Sequence, residues 1–183
     1  KINMFKVAVK SSIIKHCENQ IDLYDFGKRF TANGTKKQQL TGIIGQSVIM
    51  DLLGLGLIDG KNGFDNGTDI ELNGIKIDVK TMGRTTDVRD YYVNNFLGLQ
   101  MYFDTDAYIF CSLNKNTNEL TVCGWVTKSE LKEKASFFPK GTIRYRSNGT
   151  AFQTFADLYE IANNDLNNVD SLDELRQELS SIK

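Results

Sequence analysis

With 183 residues, 40% hydrophobic and 25% charged, the chain has the length and composition of one globular domain with a sizeable core. The net charge of −1 hides a division: residues 153–183 carry seven acidic against two basic side chains, leaving 20 basic against 16 acidic over residues 1–152. No apolar run reaches the roughly 18 residues of a membrane helix, and nothing near Lys1 has the basic, apolar, small-residue order of a secretory signal, so an intracellular, cytoplasmic protein without a membrane partner is expected.

In chain order, the first 37 residues suggest a short strand or coil near Phe5–Val9, a helix around Ile21–Phe30 and a turn at Asn33-Gly34. Leu40, Ile43, Ile44, Val48, Ile49, Met50, Leu52 and Leu53 mark a buried helix over Gln38–Leu53, which Gly54 and Gly56 stop. A polar, glycine-rich loop over Asp59–Gly67 leads to two alternating runs, Thr68–Leu72 and Ile75–Thr81. They are joined by Asn73-Gly74, the residue pair that a type I′ hairpin turn demands.

Beyond the hairpin, the pattern predicts a helix over Tyr91–Phe103, strands at Ala107–Leu113 and Leu120–Val126, and a helix opened by the capping box Thr127-Lys-Ser-Glu130. A strand near Thr142–Tyr145 and helices at about 153–163 and 171–182 follow. The last helix starts at a second capping box, Ser171 to Glu174, and carries Leu172, Leu175, Leu179 and Ile182 on one face. This mixture predicts the α/β class, with a central mixed sheet flanked by helices in one domain spanning residues 1–183. Its core lies at about residues 38–130, and residues 153–183 form an acidic helical segment.

Three widely spaced cysteines, 17, 111 and 123, form no C-x-x-C pair and read as reduced core thiols. His16 is the only histidine, which excludes H-E-x-x-H zinc hydrolysis and leaves carboxylates and lysines as the chemical resource. His16 itself reads as structural, and Trp125 as core.

The two-residue turn sets the hairpin pairing: Leu72 with Ile75, Glu71 with Lys76, Ile70 with Ile77 and Asp69 opposite Asp78. One face then holds Ile70, Leu72, Ile75, Ile77 and Val79, and the other Asp69, Glu71, Lys76, Asp78 and Lys80. Like charges directly opposed across strands destabilise a sheet, so the two aspartates need a reason to face each other. A face that only meets solvent, with Glu71 and Lys76 as an ordinary ion pair, is the alternative; a divalent cation is the simplest reason. Mg²⁺, which takes oxygen ligands and is held by one or two carboxylates, meets that need, and Mn²⁺ is its natural substitute. Lys80, two residues beyond Asp78 on the same face, is placed to orient or deprotonate a water. Those parts suit hydrolysis of a phosphodiester.

An acid at the start of one strand followed by Asp78-Val79-Lys80 on the next resembles the PD-(D/E)xK, restriction-endonuclease-like nucleases. The resemblance spans about residues 38–130 and implies that family's fold and a Mg²⁺-dependent cut in DNA. It implies Asp69 and Asp78 as metal ligands with the Val79 carbonyl, and Lys80 as the group assisting the attacking water. Many members carry a glutamate on the preceding helix after Gly-x-x-Gly; here Gly42-Ile-Ile-Gly45 is followed by Gln46, which takes that place as a candidate catalytic residue with one negative charge fewer. Thr68 stands where the family has proline.

Arg84, Arg89, Arg144 and Arg146 are candidates for phosphate contacts, although each taken singly reads first as a surface charge. Glu71 is either an auxiliary ligand or the cross-strand partner of Lys76. Gly42 and Gly45 would let their helix approach the sheet. The final leucine stripe suits either a homodimer contact or packing on its own domain. Three functions remain open: a DNA endonuclease, a nuclease fold that binds nucleic acid or assembles without cleaving, and a nuclease for branched DNA or RNA.

Overall fold

The computed structural model describes residues 2–24, 35–62, 70–146 and 148–182. Within them the order is β1 (Phe5–Ala8), α1 (Ser11–Leu23), α2 (Lys36–Leu52), β2 (Ile70–Leu72), β3 (Ile75–Arg84), β4 (Val93–Leu97), β5 (Ala107–Asn114), β6 (Glu119–Thr127), α3 (Lys128–Lys134), β7 (Ser136–Phe138), β8 (Ile143–Tyr145), β9 (Ala151–Gln153), β10 (Leu158–Ala162) and α4 (Leu172–Ser180). Short 3₁₀ turns lie at Gly60–Asn62, Gly98–Tyr102 and Asn163–Asp165.

The class is mixed α/β. A five-stranded sheet runs in the order β1-β6-β5-β3-β2, a three-stranded sheet in the order β4-β10-β7, and β8 and β9 form a hairpin. In the large sheet β3 and β5 are parallel and every other pairing is antiparallel. Side-chain alternation sends the two faces of that sheet into two cores. Ile75, Ile77, Val79, Ile109 and Val122 meet Ile13 and Cys17 of α1, Ile43, Ile44, Val48 and Ile49 of α2, and Leu175 and Leu179 of α4. On the opposite face Tyr108, Phe110 and Val126 meet Phe96 of β4, Leu131 of α3 and Ile161 of β10. Helices flank the sheet on both sides as expected, α1, α2 and α4 on one face and α3 on the other, where it shares the cover with the small sheet.

Helix starts are set locally. Thr35 and Gln38 make a reciprocal capping box at α2, and Thr127 and Glu130 make the expected one at α3. At α4, Ser171 accepts from the Glu174 N–H, while the Glu174 carboxylate turns back one residue further, to the Asp170 N–H. Gly54 and Gly56 end α2 at φ of 74° and 83°, values that favour glycine.

Three expectations are overturned or displaced. The helix placed around Ile21–Phe30 instead begins at Ser11 and runs to Leu23; residues 25–30 and the Asn33-Gly34 turn lie outside the described residues. Residues 91–103 form β4 and a 3₁₀ turn, not a helix. Buried Asn94 and Phe96 alternate there with exposed Val93 and Asn95, and the Asn94 amide bonds the Ile161 carbonyl at 3.1 Å and Asn163 at 2.8 Å. A buried asparagine reads as polar in a sequence pattern and so masks the period of two. The expected helix at 153–163 is β10, paired on both edges with β4 and β7.

The leucine stripe of α4 lies against its own domain, with Leu175 and Leu179 fully buried. Arg176 donates to the Leu52 carbonyl and Trp125 Nε1 to Glu178 Oε1 at 2.9 Å, which pins α4 to α2 and β6. The three thiols are free and buried, and His16 Nε2 lies 2.7 Å from the Ile58 carbonyl oxygen, in agreement with the structural readings of both. Among the described residues no helix is long and apolar enough to cross a membrane.

Candidate functional site

The hairpin has the expected register, Ile70 with Ile77, Glu71 with Lys76 and Leu72 with Ile75. Asn73 and Gly74 turn at φ of 51° and 79°, both positive as a type I′ turn requires. Asp69, the first expected metal ligand, lies outside the described residues.

Strand β3 continues beyond β2 and carries Asp78, Lys80, Met82 and Arg84 on the face turned toward the second core. Asp78 is 2% exposed, and Lys80 Nζ stands 2.6 Å from its Oδ2. The same ammonium lies 5.7 Å from the centre of the Phe96 ring. The pair is therefore a desolvated ion pair with an aromatic wall, in a setting where charge interactions are stronger than in water.

Parallel pairing puts Tyr108 of β5 beside Asp78, and the chain ties that register with two bonds at its start: Lys76 N–H to Asp106 Oδ2 and Asp106 N–H to the Lys76 carbonyl, both 2.8 Å. The Tyr108 ring packs edge-on against Phe96 at 4.7 Å, and its buried hydroxyl has no hydrogen-bond partner among the described residues. Burial, reinforced by the negative charge of Asp78, raises the phenol well above its ordinary value. Tyr108 escaped the sequence reading because it becomes a neighbour of Asp78 only through the β3–β5 pairing.

Gln46 is buried in α2, and its amide nitrogen lies 3.8 Å from Met50 Sδ. Gly45, its neighbour, faces Thr81 so closely that an added Cβ would fall 1.8 Å from the threonine Oγ1, whereas a Cβ at Gly42 would meet nothing among the described residues. Gly45 alone therefore brings α2 onto β3; Gly42 does not serve the approach.

Lys76 pairs with Asp104, at 2.7 Å, and not with the exposed Glu71 across the hairpin. That hydrogen bond raises the lysine above its ordinary value. The four arginines are spread over two regions. Arg84 is half-buried, donates to the Val93 carbonyl and lies over Tyr92 at 4.4 Å; burial lowers its guanidinium below the usual value. Arg89 lines a cavity of about 680 Å³ between β1 and residues 87–91, with Lys6 and Tyr91. On the β8–β9 hairpin, Arg144 makes a two-pronged bond to Glu160 and stacks on Phe138, while Arg146 lies over Phe152.

Among the described residues no group of three or more His, Cys, Asp or Glu side chains is placed to hold a metal ion. No family model, curated protein or solved structure matches the chain.

Proposed function

We propose that the chain is a Mg²⁺-dependent nuclease of the restriction-endonuclease-like class that hydrolyses phosphodiester bonds in DNA. The observation that carries this reading is the buried Asp78–Lys80 pair, a carboxylate 2% exposed with an ammonium 2.6 Å away. Apolar residues of similar volume would avoid the several kcal/mol that burying such charges costs, and a catalytic role is the reason for keeping them that this reading adopts. The order α2, hairpin, β5, β6, α3 supports the finer fold assignment. The β3–β5 connection departs from it, with a strand and a 3₁₀ turn in place of a helix.

The donor set suits a hard cation. Asp78 is an oxygen ligand whose charge already requires a positive neighbour, and Mg²⁺ needs only one or two protein carboxylates beside water and substrate oxygens. Asp78, with Asp69 and the Val79 carbonyl from the motif, would hold the ion. When bound it supplies Lewis-acid neutralisation of the charge that develops on phosphorus. The chain's own contribution is then proton handling: Lys80 Nζ, within hydrogen-bond reach of Asp78 Oδ2, holds or releases a proton at the position where water attacks. Phe96 and Tyr108 keep bulk solvent from that position.

Incubating the protein with plasmid and linear DNA in Mg²⁺ or Mn²⁺ is the deciding assay. Cleavage is expected, and Asp78→Asn and Lys80→Met are each expected to lower its rate by about 10²-fold or more with unchanged circular dichroism. Equal rates in all three proteins would overturn the assignment.

A second reading, a nucleic-acid-binding or assembly protein that does not cleave, is favoured by the uncharged Gln46 and its contact with Met50. It requires binding that survives EDTA and no turnover with either metal. Branched DNA and RNA belong in the same substrate panel.

A further inference from the structure

A cleft of about 590 Å³ opens beside the small sheet, lined by Tyr102, Phe137, Phe155, Tyr159, Lys132 and Lys140. Its rings are presented to solvent: Tyr102 is 87% exposed, Phe155 66% and Phe137 48%. Three aromatic side chains left open around one depression are costly in water, and such grouping marks a recognition surface. The frame that presents them is firm. Lys128 Nζ donates to the Met101 and Phe103 carbonyls on either side of Tyr102. Phe137 packs at 5.0 Å on Tyr159, and the Gly98 N–H bonds the Asp157 carbonyl at 2.7 Å, so closely that a Cβ at Gly98 would strike Asp157.

The cleft contains one acid, Asp157, whose Oδ1 accepts the Lys140 N–H at 2.9 Å and belongs to the wall. Two lysine side chains flank the rings. Lysine is depleted at the centre of protein–protein interfaces, whereas aromatic faces beside lysines are what a single nucleic-acid strand uses: bases stack and phosphates meet the ammonium groups. Volume also agrees, since the cleft falls in the range of ligand-sized sites. Tyr159 of its wall lies edge-on to Phe96, ring centres 6.4 Å apart, and the Phe96 ring is in turn 5.7 Å from Lys80 Nζ, which links the cleft to the Asp78–Lys80 pair through one intervening ring.

The geometry points to a binding site for unpaired nucleotides: bases of a single strand stack on Tyr102, Phe155 and Phe137, and Lys132 and Lys140 meet its phosphates. This rests on the nuclease reading only in naming single-stranded DNA or RNA as its substrate class; the binding itself needs neither metal nor cleavage.

The test is fluorescence anisotropy of labelled oligo-dT, oligo-U and blunt duplex with the intact chain in EDTA. Tighter binding of single strands is expected, weakened about 5- to 100-fold in Tyr102→Ala and in Phe155→Ala and retained in Tyr102→Trp. Lys132→Ala and Lys140→Ala are expected to flatten the salt dependence. All of these positions are at the surface, so folding is preserved. Wild-type affinity in both alanine variants, a preference for duplex, or self-association of the chain abolished by Tyr102→Ala would each overturn the site. EDTA-resistant single-strand binding without cleavage in Mg²⁺ would keep this inference and remove the nuclease reading. Duplex cleavage without single-strand binding would do the reverse.

Discussion

Asp78 and Lys80 differ from an exposed ion pair in what happens when one partner is lost. Their side chains are 3% and 15% exposed, so Lys80→Met leaves a buried carboxylate with its nearest cation removed. A loss of about 3–5 kcal/mol in urea-unfolding stability is expected, and the double variant Asp78→Leu/Lys80→Met should recover most of it. A double variant as unstable as the single one would show that the pair is a structural keystone instead of a site tolerated at a cost. Tyr108 makes a sharper case, because its hydroxyl is buried without a partner among the described residues. Tyr108→Phe should stabilise the fold by about 1 kcal/mol, the reverse of what loss of a made hydrogen bond gives, and calorimetry decides between the two signs. At this scale Lys80 and Asp78 were legible in the sequence, since two residues of one strand two apart share a face. Tyr108 was not, because no local rule brings residue 108 to residue 78.

Among the elements, α2 and β3 show how narrow a contact can position a site. Gly45→Ala drives a methyl group into Thr81 Oγ1 and should cost about 1–3 kcal/mol, with α2 displaced from the sheet. Gly42→Ala, three residues earlier on the same helix, meets none of the described residues and should instead stabilise by up to about 1 kcal/mol through helix propensity. Thermal melts of the two variants check the contrast, and equal shifts would refute the close approach. The hairpin, α2 and α3 were readable because their determinants lie within a few residues: Asn73-Gly74 for the turn and Thr127 with Glu130 for the cap. Strands β4 and β10 were read as helices because their partners are distant in the chain. Val93 pairs with Ala162 and Leu97 with Leu158, and Asn94 is buried only because Asn163 and Ile161 satisfy its amide.

Over the whole molecule, folding encloses several groups in their neutral form. Burial raises the thiols of Cys17 and Cys111, pushes Cys123 up to about 12 from its ordinary 9.0, and raises the Tyr108 phenol. Each folded value lies above the unfolded one. The contribution is therefore complete below about pH 8, where both states are protonated, and is lost as rising pH ionises the unfolded chain first. Stability should fall steadily from about pH 9 toward pH 12, and urea midpoints at about pH 7.5 and pH 10 should show it. A midpoint unchanged at the higher pH would mean that these groups are solvated.

The sequence by itself determined what short-range geometry can encode: the α/β class, the hairpin with its one charged face, the buried α2, the capped α3 and the reduced thiols. Only the tertiary structure decided that β3 and β5 run parallel, that a small sheet joins α3 in closing the second core, and that Tyr159 of the aromatic cleft packs toward the Phe96 ring beside Lys80. The reason is physical. A turn or a cap is settled by the few residues that form it, whereas a strand with buried polar groups exists only after a partner far along the chain has supplied its hydrogen bonds.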